Sequence, residues 1–134
     1  MITLDEFVER LCRLGGEGRR PFPRARRDRE ILMQSIVMRL DSARTYDEGE
    51  INDALKTWLR EVAPAIDTDH VTLRRLLVDC GRLERRADGK VYQVGFPARV
   101  PAFELDVYDV DGAATVAAYR EQLEARRKRR RPPS

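Results

Sequence analysis

His70 is the sole histidine in 134 residues, and the only acids near it at ligand spacing are Asp67 and Asp69. Those two are better explained as turn and cap residues, so neither a general base nor a metal site is expected there. Cys12 and Cys80 are too few and too far apart for a disulfide framework or a zinc site. Ser35 and Ser42 have no histidine in their neighbourhood, and Leu14-Gly-Gly-Glu-Gly18 lacks the Lys-Ser/Thr and preceding strand of a phosphate loop. No catalytic residue, metal or cofactor is therefore expected, and the chain does not read as an enzyme. What remains is arginine: of the 26 basic residues only Lys56, Lys90 and Lys128 are lysines. A guanidinium fork pairs two oxygens at once, which suits phosphates and the O6/N7 edge of guanine. The plainer source of such a bias is genome base composition, so the placement of the arginines must carry the argument.

Asp69 reads as the N-cap of a helix ending at Cys80, before Gly81. Leu73, Leu76, Leu77 and Cys80 share one face of it. Thr72, Arg75 and Asp79 point the other way, with His70 and Arg74 on the flanks. Leu83–Arg86 and Lys90–Val94 follow as two short strands, joined by Ala87-Asp88-Gly89 with the glycine placed for a positive φ. Upstream, Asp47 and Glu50 form a capping box, with Tyr46 stapling to Ile51. Ile51, Ala54, Leu55, Trp58, Leu59 and Val62 then make the apolar stripe of a helix that Pro64 closes. Before it, a helix from Arg24 or Asp28 to Leu40 has a face wide enough for a core element. Three helices and a hairpin, in that order, predict a winged helix-turn-helix core in an α+β, mainly helical chain.

At the N-terminus Thr3 and Glu6 form another capping box for a helix carrying Leu4, Phe7, Val8, Leu11 and Leu14, which Gly15-Gly16 stops. Residues 17–23, rich in Gly, Pro and Arg, read as a mobile linker, leaving helix 1–16 to pack on the main domain, 24–95, or on a second copy. Within the C-terminal extension 96–126, the alternation from Phe103 to Val110 predicts a strand. A final helix from about Ala113 to Arg126 has a narrow stripe of Val116, Tyr119 and Leu123, and a basic tail of residues 127–134 follows. Arg126–Arg131 is a block of six like charges, read as a solvated arm that either adds phosphate contacts or merely aids solubility. The unpartnered stripes of the first and last helices suggest a homodimer. No apolar run approaches the ~20 residues that span a bilayer. The first residues have neither the basic nor the apolar stretch of a secretion signal. A reducing cytoplasm is expected.

Three separated stretches share spacing with a known family. They are Phe22-Pro23-Arg24, Tyr46-Asp-Glu-Gly-Glu-Ile-Asn52, and Thr72-Leu-Arg-Arg75 continuing through Leu77-Val-Asp79, Gly81, Leu83, Arg85, Gly89 and Tyr92. From about Phe22 to Val94 the chain resembles the family named domain of unknown function 2087. The resemblance implies a bacterial winged-helix module linked to transcription, found alone and attached to ArsR-type regulators. The first twenty residues here are too few for a second helix-turn-helix, so this module either meets DNA itself or acts without it.

On the DNA-binding expectation, Thr72, Arg74 and Arg75 enter the major groove while Arg85, Arg86 and Lys90 of the wing meet flanking phosphates. Arg24, Arg26, Arg27 and Arg29 would add a second cationic contact. On the structural alternative, Arg74 and Arg75 merely pair with Asp69, Asp79 or acids of the preceding helix such as Asp53, as exposed ion pairs worth ~0–1 kcal/mol. The function expected is duplex-DNA binding by a transcriptional regulator. The rivals are a protein-interaction module on the same scaffold, with a partner in transcription, and RNA binding through the arginine-rich arms.

Overall fold

The computed structural model describes residues 1–86 and 88–130. The N-terminal helix α1 spans Leu4–Gly16, with Thr3 Oγ1 accepting from the Glu6 N–H at 3.2 Å. Only this half of the expected capping box forms, because the Glu6 carboxylate is taken by Arg27 and Arg10. Helix α2, Arg26–Val37, buries the six consecutive residues Ile31–Ile36. Helix α3, Glu48–Glu61, starts on the complete capping box of Asp47 and Glu50 and buries Ile51, Leu55 and Trp58. Helix α4, His70–Asp79, starts at Asp69 and ends with Cys80 as its cap.

Between α2 and α3 lies a strand the periodicity did not show, β1, Tyr46–Asp47. It pairs antiparallel with β3, Val91–Val94, which also pairs with β2, Leu83–Arg86, giving the sheet order β1-β3-β2. Tyr46 and Leu83 thereby lie opposite Tyr92 and Val94 on one sheet face, and all four are buried. Helix, short strand, two helices and a hairpin whose far strand returns to that short strand make a winged helix-turn-helix, with α4 as the helix before the wing.

Helix α1 belongs to the common core. Phe7 and Leu11 are fully buried in it, and the segment 17–23, expected to be mobile, is tied to the α3–α4 connection. Arg20 N–H donates to Ala65 O at 2.9 Å, and Asp67 N–H donates to Arg20 O at 2.6 Å. Gly15 does more than stop a helix: a Cβ there would sit 2.6 Å from Val62 O, so glycine lets α1 touch the end of α3.

The C-terminal extension also differs from its alternation. Phe103 forms one isolated bridge to Ile2, and Leu105–Asp109 is a 3-10 helix. Phe103 and Val107, four apart, are buried while Leu105 is 85% exposed, so the apolar period here is helical. Helix α5 then spans Gly112–Arg130, four residues beyond the expected end. Its Val116, Tyr119 and Arg120 side chains approach Gly16 of α1. The two stripes that suggested a homodimer thus cover each other.

Glu6 links α1 to α2 through Arg27 and Arg10, and Arg10 continues to Asp28 at 2.7 Å. The hydrogen bond from Arg27 is the main reason the Glu6 carboxyl titrates below its ordinary range, burial opposing it. Its contribution is present above the unfolded glutamate pKa, ~4.3, and is lost as pH falls through the lower folded value. In a Glu6→Gln variant the acid limb of urea midpoint against pH should be shallower than in the parent. Superimposable acid limbs would remove Glu6 from the account of acid stability.

Candidate nucleic-acid interface

Leu73 and Leu77 are buried one turn apart and fix the rotation of α4. That leaves Thr72, Arg75 and Asp79 exposed, as their spacing predicts. The helix start is held by Asp69, whose carboxylate accepts from the Thr72 N–H at 2.7 Å. This bond and one from the Thr72 side chain lower the Asp69 pKa against the opposing effect of burial, with smaller help from Val71 N–H and His70.

The candidate cations separate by partner. Arg74 is only 13% exposed at its side chain, bonds Asn52 and lies 3.0 Å from Glu48. It braces α4 against α3, as the structural alternative anticipated, although the acid it meets is Glu48 and not the expected Asp53. Arg75 carries no such partner: among the described residues no carboxylate lies within 4.0 Å of it, nor of Arg85, Arg86 or Lys90.

In the hairpin Arg85 stands opposite Tyr92 and Arg86 opposite Val91, so the two arginines leave opposite faces of the sheet. Arg85 Nε donates to Gly89 O at 3.2 Å, with its guanidinium 6.0 Å from the Tyr92 ring centre. Arg86 donates to Gln93 Oε1 at 2.8 Å. These are neutral partners, which orient the guanidiniums and leave their charge uncancelled. Asp88 and Gly89 both take positive φ, 58° and 80°, at the turn; Ala87, its third expected residue, lies outside the described residues. The local balance follows the same division. Residues 70–94 hold six Arg and Lys against three acids, whereas residues 41–69 hold eight acids against three bases.

Three members of the other expected group have partners of their own. Arg27 is clamped by the Glu6 carboxylate. Arg26 donates to Arg99 O at 3.1 Å beside a cleft of about 490 Å³ with Val100 and Pro101, and Arg29 lies over the Phe22 ring. Arg24 is exposed at the same end of α2. These four lie at the start of α2, where their neighbours are α1, Phe22 and residues 99–101.

One arginine of consequence escaped sequence reading. Arg82, at the foot of the wing, is 4% exposed, and donates to Glu30 at 2.5 Å and to Gln34 Oε1 at 2.9 Å, both on α2. Nothing in Gly81-Arg82-Leu83 distinguishes it from a surface arginine, because its partners are about fifty residues away. Of the remaining reactive types, Cys12 is buried, its Sγ 3.8 Å from Thr115 O, and burial raises its thiol pKa. Among the described residues no group of three His, Cys, Asp or Glu could hold a metal, and no helix is long and apolar enough to cross a membrane.

Residues 20–94, from within the α1–α2 loop through β3, match the model of a family described as "Uncharacterized protein conserved in bacteria (DUF2087)". Neither the curated proteins nor the solved structures yield a match to the chain.

Proposed function

The chain belongs to this uncharacterized bacterial DUF2087 family, and from that premise we propose that it is a winged-helix protein that binds duplex DNA and acts in transcription in the reducing cytoplasm. One observation carries the reading: the outward face of α4 and both faces of the adjoining hairpin present Arg75, Arg85, Arg86 and Lys90 uncancelled by carboxylates, while Arg74 next door is neutralised. Arg75 and Thr72 address base edges; the wing cations address phosphates on the flank. Two free cysteines, Cys12 and Cys80, agree with a reducing compartment.

Selection from a random duplex library, followed by titration of the enriched site, tests this. Arg75→Ala should weaken the enriched site by ~1–3 kcal/mol, roughly 5- to 150-fold, and relax one base position. Arg85→Gln with Arg86→Gln should weaken all sequences alike and reduce the log affinity–log salt slope by about 1–2. No enrichment and no salt-dependent binding would sink the proposal. A protein-interaction module is the second reading, favoured by Phe96 at 79% and Leu105 at 85% exposure on the C-terminal extension. It predicts a retained protein partner, lost on Phe96→Ser, with no duplex binding.

A further inference from the structure

The C-terminal third of α5 is a helical arm of cations that begins beside the α3–α4 connection. The helix starts with Gly112 against Val62 and Leu11, passes Gly16, and bonds Glu17 through the Tyr119 hydroxyl. Farther along, Arg120, Glu121, Glu124 and Arg127 line a cleft of about 560 Å³ with Pro64 and Ala65, and the acids end there, before the cationic run. Ala65 precedes the N-cap Asp69 by four residues, at most ~14 Å of extended chain. Arg126, Arg127, Lys128, Arg129 and Arg130 follow as helix, all exposed, with no carboxylate within 4.0 Å among the described residues. Arg131, the last of the expected block, lies outside the described residues.

Two plainer roles fall short. Cations in a last helical turn offset the dipole by ~0.3–1 kcal/mol each, but one or two suffice. Five in succession put like charges at i,i+3 and i,i+4, which weakens the helix. Successive residues turn by about 100°, so five of them ring the axis and leave no cation-free side for packing. Glu124, at i,i+3 and i,i+4 spacing to Arg127 and Lys128, can offset only part of that charge, and the ring that remains is the kind of surface a polyanion meets.

We infer that the end of α5 is a second phosphate-contact surface for duplex DNA, flanking α4 at its N-terminal side as the wing flanks it at the other. The inference rests on the DNA-binding reading of α4. A major groove ~12 Å wide has a phosphate backbone along each rim. With α4 in the groove, the wing meets one rim and the arm the other.

The test uses the full chain, a version with residues 126–130 all changed to glutamine (R126Q/R127Q/K128Q/R129Q/R130Q), and a charge-retaining version (R126K/R127K/R129K/R130K). Fluorescence anisotropy with a random-sequence duplex of roughly 25 bp, between about 50 and 200 mM salt, gives the slope of log affinity against log salt. Loss of three phosphate contacts should make the glutamine slope shallower by about 2.7, so that the parent loses about 40-fold more affinity across that range. The lysine version should keep the parental slope. Parental binding with the same slope in the glutamine version overturns the arm alone. No parental duplex binding overturns both readings. Complete loss in the glutamine version, with Arg75→Ala without effect on the selected site, supports the arm as a phosphate contact and overturns α4 as the reader. Tighter arm-dependent binding to a single-stranded RNA of the same length overturns duplex DNA as the partner.

Discussion

Glu30→Ala is expected to destabilise the protein by about 3–5 kcal/mol, whereas the double substitution Glu30→Leu with Arg82→Met should stay near the parent or exceed it. The pair is deeply buried, with side chains 13% and 5% exposed, and among the described residues Arg82 reaches no other carboxylate. Removing Glu30 alone strands a guanidinium away from water with only the Gln34 carbonyl as acceptor. Removing both charges ends the desolvation cost, including that of Arg82 Nε–H, a buried donor with no acceptor among the described residues, worth ~1–3 kcal/mol. The damage from the single change should centre on the wing. Arg82 N–H donates to Leu77 O, and Arg82 O accepts from Gly95 N–H, both at 2.9 Å. The same residue therefore joins the end of α4, the two hairpin strands and α2. Urea unfolding followed by circular dichroism measures the effect. A Glu30→Ala variant within about 1 kcal/mol of the parent would mean that water reaches this pair freely.

What sequence could and could not see follows from the range of each interaction. Asp47 with Glu50, and Asp69 with Thr72, cap their helices across three residues, and both starts were legible to the residue. Strand β1 was not, since two residues show no alternation and its partner Tyr92 lies far along the chain. Tyr46 looked like a staple for α3. In the folded chain it pairs across the sheet, and its hydroxyl accepts from Asp41 N–H at 2.8 Å. The interface was half legible for the same reason. The outward direction of Thr72, Arg75 and Asp79 follows from the helical period and the leucines opposite them. Whether a given arginine keeps its charge free depends on acids brought in from elsewhere. Glu48 removes Arg74, Glu6 removes Arg27 and Glu30 removes Arg82, at separations between 21 and 52 residues. No local pattern separates those three from Arg75.

Trp58→Ala should cost about 3–5 kcal/mol, the range for emptying a large aromatic site in a packed core. Trp58 is fully buried where α3 meets α2, and its indole N–H donates to Ser35 Oγ at 2.9 Å. Ser35 in turn donates to Leu32 O at 2.7 Å within α2, so the serine oxygen is oriented to receive the indole. Shape and polarity can therefore be measured apart. Trp58→Phe keeps most of the apolar volume and leaves the serine hydroxyl its own acceptor, so its cost should be the smaller. Ser35→Ala keeps the indole but strands its N–H, at ~1–3 kcal/mol. Because Trp58 is the sole tryptophan, unfolding must be followed by circular dichroism. The comparison also bears on the interface, since α3 carries Glu48 and Asn52, which hold Arg74 and so set the angle of α4. Trp58→Phe should then leave duplex affinity unchanged well below its melting temperature. A selective loss of DNA binding in a stable, folded Trp58→Phe protein would show that the α2–α3 contact sets the pose of α4 more tightly than the Arg74 brace.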